Sequence, residues 1–170
     1  FYTVAACYLK ERFPELKFGG YASSGFYGAN RENPDEWFQR LISFSNDFFA
    51  YLNRQQQHVP LDFFSWHCYT DSVDEIALHC KYVRGLLERS GYGNTESILN
   101  EWNYSDWQTP PAIEGPMRKS MLAAAMVAGA FTVMQKQGLD MGNYYDAETT
   151  RISYCGPVSY THLTLPTTSR

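Results

Sequence analysis

The chain has 170 residues, of which 44% are hydrophobic and 19% are charged, so it can bury a core and is too apolar for a disordered tail. A net charge of -4 and a pI near 5.5 provide no basic surface for nucleic acid. The longest apolar stretch, residues 121–134, is shorter than the roughly 18 to 20 residues that span a bilayer. We therefore expect neither a nucleic-acid partner nor a membrane partner.

The two ends of the sequence differ from its middle. No initiator Met and no secretory signal is visible at the start, so the compartment stays open. Residues 158–170 are Thr-rich, lack a helical period, and resemble the translated read-through of a sequencing adapter. We therefore interpret residues 1–157 as part of a catalytic domain and 158–170 as a non-native tail, with a genuine β-hairpin as the alternative.

The first third of the chain predicts a helix, a strand and a second helix. Apolar residues on one helical face predict a helix over 4–13 that Pro14 ends, and residues 16–21 then form a short predicted strand. Asn33 as a cap and Pro34 at the first helical position predict the start of the second helix. We expect its buried face to carry large apolar residues at spacings of three and four, namely Trp37, Leu41, Phe44, Phe48 and Leu52.

The rest of the chain continues the alternation of predicted helices and strands. The patterns predict strands over 61–69, 97–102 and 139–145, one helix opened by a Ser72–Glu75 capping box, and another from about 113 to 137. The buried side of the first of these helices is predicted to contain Ile76, Cys80, Val83 and Leu87, and Gly138 is predicted to end the second. Because helices separate all four strands and no hairpin signal is present, we expect a parallel α/β sheet.

The spacing of the predicted strands favours a barrel. The strand centres at Phe18, Phe63, Ile98 and Met141 are separated by 45, 35 and 43 residues, slightly more than the roughly 31 per unit of a (β/α)8 barrel. Four such units make half of a TIM barrel. A doubly wound open sheet is the alternative, but the residues after the first strand do not match its GxGxxG turn.

Polar and aromatic residues occupy the carboxyl ends of three predicted strands, where the active sites of parallel α/β proteins lie. His67 and Tyr69 alternate with Cys68, so they point to the same side of the second strand. The candidate ligand contacts at this edge of the sheet are Trp66, Trp102, Asn103, Tyr144, Tyr145 and Asp146. About half of the aromatic residues are expected to be core residues instead, and Asp146 either binds a sugar hydroxyl or only ends its strand.

Glu101 is the strongest candidate for a catalytic residue. It follows the apolar pair Ile98-Leu99, and burying a carboxylate there costs several kcal/mol unless hydrogen bonds support it. Two interpretations remain open: a nucleophile that Tyr69 or His67 orients, and a structural salt bridge. The Cys and His residues lack metal-ligand spacing, and we expect no metal and no cofactor.

Two segments resemble the clan A retaining glycoside hydrolases. Residues 61–69 resemble the sixth strand of their barrel, and residues 98–105 resemble the seventh. Within the clan the most similar pattern is that of family 39, the β-xylosidase and α-L-iduronidase group, whose seventh strand carries T-E-[WY]-N-x-S. Asn100 stands here in place of the Thr, and residues 101–105 match the remainder.

This resemblance implies a function and a place in the barrel. It implies that the chain is the C-terminal half of the barrel, strands five to eight, and that Glu101 is the catalytic nucleophile. His67 and Tyr69 would line the sugar subsite and orient that carboxylate. The expected partner is a carbohydrate substrate, and the oligomeric state stays open.

Retaining hydrolysis needs a second carboxyl group about 5 to 5.5 Å from the nucleophile. The resemblance implies that this acid/base is the Glu of an Asn-Glu pair at the end of strand four, upstream of the chain, so we expect the chain alone to be inactive. A rival assignment makes Asn100-Glu101 that pair, although an H-x-Y strand directly before it disfavours this. Two further functions stay open: a non-catalytic carbohydrate-binding or scaffolding barrel, and a hydrolase that uses Glu101 as a base or metal ligand.

Overall fold

Helices and parallel strands alternate along residues 1–106, 108–110, 113 and 117–145, which are the residues that the computed structural model describes. The helices are α1 (Tyr2–Arg12), α2 (Glu36–Asn53), α3 (Val73–Arg89) and α4 (Met121–Lys136), with a short 3-10 helix at Tyr27–Asn30. The strands are β1 (Gly19–Ser23), β2 (Phe63–Thr70), β3 (Glu96–Tyr104) and β4 (Met141–Tyr144). The predicted tail, 158–170, lies outside the described residues.

The sheet has the order β1-β2-β3-β4, and every neighbouring pair is parallel. Each strand is joined to the next through a connection that contains a helix. This confirms the predicted parallel α/β sheet. No helix among the described residues is both long and apolar enough to cross a membrane.

The core lies between the sheet and the helices. Phe64, Trp66 and Cys68 of β2 are fully buried on the helix side, where Trp66 packs against Phe26 and His79. The predicted inward side of α3 is confirmed, since its buried residues include Ile76, Cys80, Val83 and Leu87. Each large apolar side chain buried in this layer contributes about 1.5 to 3 kcal/mol of transfer free energy.

The predicted start of α2 is wrong, and its predicted buried face is right only in part, since Leu52 is buried and Phe48 packs against the core. The cap is Asp35 instead of Asn33, and its carboxylate accepts a hydrogen bond from the N–H of Phe38. Trp37 and Phe44 are 60% and 58% exposed. The other inward residues lie one position further along the chain than predicted, at Phe38, Ile42, Ser45 and Phe49. Large apolar residues occupy two adjacent faces of this helix, so periodicity alone could not select the buried one.

The helix α4 begins at Met121, later than the sequence predicts, because the Ser120 side chain caps it by accepting from the N–H of Ala123. It ends as predicted. Gly138 follows it with φ of +65°, a conformation that glycine adopts more readily than residues with a side chain.

One hydrogen-bonded arrangement joins β1 and β2 at the amino end of the sheet. The N–H of Asp62 donates to the carbonyl of Phe18 at 2.7 Å, and the Asp62 carboxylate accepts from the N–H of Phe18 at 2.8 Å. Lys10 of α1 forms an ion pair with the same carboxylate at 3.0 Å. Because both backbone groups of one residue are bound, this arrangement fixes the register of the two strands.

The arrangement recurs between β3 and β4. The N–H of Asp140 donates to the carbonyl of Ser97 at 3.2 Å, and its carboxylate accepts from the N–H of Ser97 at 2.7 Å. Arg84 of α3 supplies the cation at 3.0 Å. The amino end of the sheet therefore carries repeated stabilising contacts, as expected for this end of a β/α protein.

We expect Asp62→Asn to lower the free energy of unfolding by about 1 kcal/mol at pH 7. Burial raises the pKa of Asp62, but the Phe18 N–H and the Lys10 ammonium outweigh it, and the pKa lies below its usual value. A carboxyl with a lowered folded-state pKa stabilises the fold above its unfolded pKa and loses that contribution as the pH falls through the folded pKa. Urea unfolding of the chain at pH 7 and pH 3 measures both effects.

The control for Asp62 is Glu36→Gln, which removes an exposed ion pair with Arg40 on the surface of α2 and is expected to cost less than about 0.5 kcal/mol. The variant Asp62→Asn should lose less stability between pH 7 and pH 3 than the unmodified chain. Identical acid dependence in the two proteins would contradict the assigned role of Asp62.

Candidate active site

One extra residue interrupts the pairing of β3 at the carboxyl half of the sheet. Trp66 of β2 pairs with Leu99, but the next residue, His67, pairs with Glu101, so Asn100 has no opposite residue. The register of β3 against β4 also contains one excess residue between positions 99 and 102. Both neighbouring strands thus place a β-bulge at Asn100.

The bulge decides which way Glu101 points. Leu99 is fully buried on the helix side of the sheet, and strict alternation would place Glu101 on that same side. The extra residue reverses the alternation, so Glu101 lies on the opposite face with His67 and Tyr69. A strand without the bulge would direct the carboxylate into the apolar layer.

Two side chains of β2 contact the Glu101 carboxylate. The Tyr69 hydroxyl donates a hydrogen bond to Oε1, and His67 Nε2 lies 3.5 Å from Oε2. The Glu101 side chain is 31% exposed, so solvent or a ligand can reach it. The structure brings together the three residues that the sequence predicts as the catalytic group.

No Lys or Arg forms an ion pair with Glu101 within the described part of the chain. The carboxylate is instead oriented by a neutral hydroxyl donor, an arrangement that leaves its negative charge available for reaction. The described residues also contain no group of three or more metal-ligating side chains.

Tyr27 stabilises the backbone of Tyr69 through two hydrogen bonds. Its hydroxyl accepts from the N–H of Tyr69 at 2.7 Å and donates to the carbonyl of the same residue at 3.0 Å. Burial raises the pKa of Tyr27 well above its usual value, so the hydroxyl keeps the proton that it donates. Gly25 lies beside this ring, and a Cβ atom there would come within 2.7 Å of it.

His79 of α3 packs against Tyr27 and lies beside Glu75 of the same helix. The His79 ring is fully buried and lies edge-on to the Tyr27 ring, with 4.8 Å between centroids. His79 Nε2 lies 3.0 Å from Glu75 Oε1, and this contact lowers the pKa of Glu75. The helix α3 therefore holds Tyr27, and Tyr27 holds the backbone of Tyr69.

Two tryptophans predicted to contact a sugar lie in the core instead. Trp66 and Trp102 are both fully buried, which corrects their assignment as sugar-stacking residues. Trp66 Nε1 donates to the Ser97 hydroxyl at 3.0 Å, and Trp102 packs edge-on against Phe131 of α4. Each precedes or follows a site residue by one position, so strand alternation turns it to the helix side.

Asn103 also has a structural position. It is 1% exposed, its amide donates to the Tyr145 carbonyl at 2.7 Å, and its Oδ1 accepts from the Tyr144 hydroxyl at 2.9 Å. These bonds join the ends of β3 and β4, which corrects its prediction as a sugar ligand. Tyr145 is 47% exposed and stays a candidate contact, Tyr144 is half-buried, and Asp146 lies outside the described residues.

The sequence does not predict the cavity beside the site, which Trp37 helps to line. The cavity has a volume of about 420 Å³ and lies between α2 and β2. Trp37, Phe38 and Leu41 form one side, and His67 and Tyr69 form the other. The position of Trp37 in the sequence could have indicated this, because the first turn of a helix that follows a strand lies at the carboxyl edge of the sheet.

Comparison with solved structures finds chains with a similar fold. A glucosidase from Croceicoccus marinus has a TM-score of 0.64 and 28% sequence identity, over 87% of this chain and 28% of that one. A glycoside hydrolase family 5 mannosidase from Rhizomucor miehei has a TM-score of 0.45 and 11% identity, over 85% of this chain and 35% of that one. No family model and no curated protein matches the sequence.

The chain therefore spans about a third or less of the length of these enzymes. Its parallel four-stranded sheet and helices are similar to the barrels of glycoside hydrolases.

We expect Tyr27→Phe to destabilise the chain by about 1 to 3 kcal/mol, because it removes two buried hydrogen bonds to the backbone of Tyr69. Urea unfolding measures the loss. Tyr51→Phe is the matched control, since Tyr51 is 46% exposed and its hydroxyl has a long 3.4 Å contact with Thr3. Equal losses in the two variants would contradict the supporting role of Tyr27.

Proposed function

We propose that this chain is the C-terminal half, strands five to eight, of the catalytic (β/α)8 barrel of a retaining glycoside hydrolase. Four sequential parallel strands with helical connections support the barrel assignment. The 28% identity to a glucosidase, over 87% of the chain, supports the enzyme class.

The observation that carries the proposal is the hydrogen bond from Tyr69 to Glu101 at the carboxyl edge of the sheet. In the proposed first step, a Glu101 carboxylate oxygen attacks the anomeric carbon of the sugar, and the bond to the leaving oxygen breaks. The leaving oxygen takes a proton from the acid/base. In the second step, water gives a proton back to that base and displaces Glu101, so the anomeric configuration is retained.

Tyr69 and His67 position the nucleophile in this mechanism. The Tyr69 hydroxyl fixes the orientation of the carboxylate, so little freedom is lost when the sugar arrives. His67 lies 3.5 Å from the second oxygen and is 20% exposed, which supports a position between Glu101 and the ligand.

The acid/base is proposed to come from strand four of the complete barrel. The described contacts of Glu101 are with Tyr69 and His67, and neither supplies a second carboxyl group. Retaining hydrolysis requires both carboxyl groups. The 170-residue chain alone is therefore expected to release no product from any glycoside.

We further propose that the enzyme belongs to family 39 and has a β-xylosidase type of activity. The match of residues 101–105 to the seventh-strand motif supports this proposal. A panel of p-nitrophenyl glycosides that differ only in the sugar tests this assignment in the full-length protein, and the proposal expects the β-xyloside to be hydrolysed fastest.

In the full-length protein, Glu101→Gln should lower kcat at least about a thousandfold, because the neutral amide cannot attack the anomeric carbon. Glu96→Gln is the control, since it makes the same change at the amino end of the same strand. NMR of the first product formed by the unmodified enzyme should show the anomeric configuration of the substrate.

Two outcomes would reject this assignment. Activity retained in Glu101→Gln would exclude Glu101 as nucleophile, and product of inverted configuration would exclude the double displacement. Binding of glycosides without hydrolysis by the unmodified full-length protein would instead favour the non-catalytic carbohydrate-binding barrel.

A further inference from the structure

We propose that Tyr27 is a positioning residue for the reaction of Glu101, and that it acts through the backbone of Tyr69. The inference rests on the proposed glycosidase function. It adds to that function a residue that follows β1 and whose hydroxyl bonds to the protein backbone and not to the carboxylate.

The strand β1 is shorter than β2 at the carboxyl edge of the sheet. Its last residue, Ser23, pairs with Trp66. The strand β2 continues to Thr70 and stays paired with β3 over that length. Residues 67–70 therefore have a neighbouring strand on one side only, within the described part of the chain. Because unpaired backbone groups are costly when buried, another group must replace β1 there.

The Tyr27 hydroxyl replaces the missing part of β1. In a parallel sheet, the N–H and C=O groups of one residue bond to the same neighbouring strand. The hydroxyl reproduces this pattern, because it accepts from the N–H of Tyr69 at 2.7 Å and donates to the C=O of Tyr69 at 3.0 Å. A hydroxyl can do both, since it is at once a donor and an acceptor. The backbone position of Tyr69 thus depends on one side chain.

The loop after β1 brings the Tyr27 ring to this place. Gly25 has φ of +117°, and a Cβ atom there would lie 3.1 Å from the carbonyl oxygen of His67. A residue without a side chain therefore lets the loop pass close to β2. The ring also packs against His79 of α3 and Phe38 of α2, at centroid distances of 4.8 and 5.3 Å. Contacts from two helices thus fix Tyr27.

The position of Tyr69 matters for the reaction because its hydroxyl donates to the carboxylate of Glu101. A displacement of about 1 Å at a reacting group can lower a rate about a hundredfold. Tyr27 is only 6% exposed, so its hydroxyl influences the reaction through Tyr69. Its loss is therefore expected to lower turnover more than substrate affinity.

The first test is Tyr27→Phe in the full-length protein. It should lower kcat for a p-nitrophenyl glycoside about tenfold and change KM less than about twofold. The rate constant for labelling by a 2-fluoro glycoside should fall by a similar factor. Unfolded molecules lower the extent of labelling and not its rate constant, so this measurement separates positioning from a folding defect.

Tyr2→Phe is the matched control. It removes a hydroxyl that donates to the carbonyl of Pro60 at 2.9 Å, before the amino end of the same strand β2. The same chemical change is thus made at the opposite end of the strand, and kcat should change less than about twofold.

The second test combines Tyr27→Phe with Tyr69→Phe. If Tyr27 acts through the Tyr69 hydroxyl, kcat of the double variant should lie within about twofold of kcat of Tyr69→Phe alone. A further tenfold loss in the double variant, or no loss in Tyr27→Phe, would overturn the inference and leave Glu101 as the nucleophile. Labelling of a carboxylate other than Glu101 would instead overturn the proposed function.

Discussion

The position of Glu101 depends on a single extra residue in β3. The bulge at Asn100 is visible in the register with both neighbouring strands, and it turns the carboxylate from the helix side to the open face. Only on that face can Tyr69 donate to it. Without the bulge, the same sequence would bury a charge in the apolar layer at a cost of several kcal/mol.

The two ends of the sheet differ in their contacts: the amino end carries stabilising contacts, and the carboxyl end carries the candidate site. At the amino end, Asp62 and Asp140 each bind both backbone groups of a residue on the adjacent strand, and a helix supplies a cation to each. At the carboxyl end, side chains converge on Glu101. Tyr27 links this end to the core, because it contacts His79 on one side and the backbone of Tyr69 on the other.

The sequence predicted the parallel sheet, because helical and strand patterns alternate clearly, and the grouping of His67 and Tyr69, because residues two apart share a face. It failed for Trp37 and Phe44 of α2, because apolar residues at neighbouring positions of this helix support two stripes. It also failed for Trp66 and Trp102, whose aromatic character fits both a core and a sugar site. No glycine or proline marks the bulge at Asn100, so its effect on Glu101 required the strand pairing.

The central claim is that Glu101 becomes bonded to the sugar during the reaction. A 2-fluoro glycoside with a good leaving group slows the second step of a double displacement more than the first, so the covalent intermediate accumulates. Mass spectrometry of peptides from the trapped full-length protein locates the added sugar. We expect it on the peptide that contains Glu101, and a label on a different carboxylate would contradict the account.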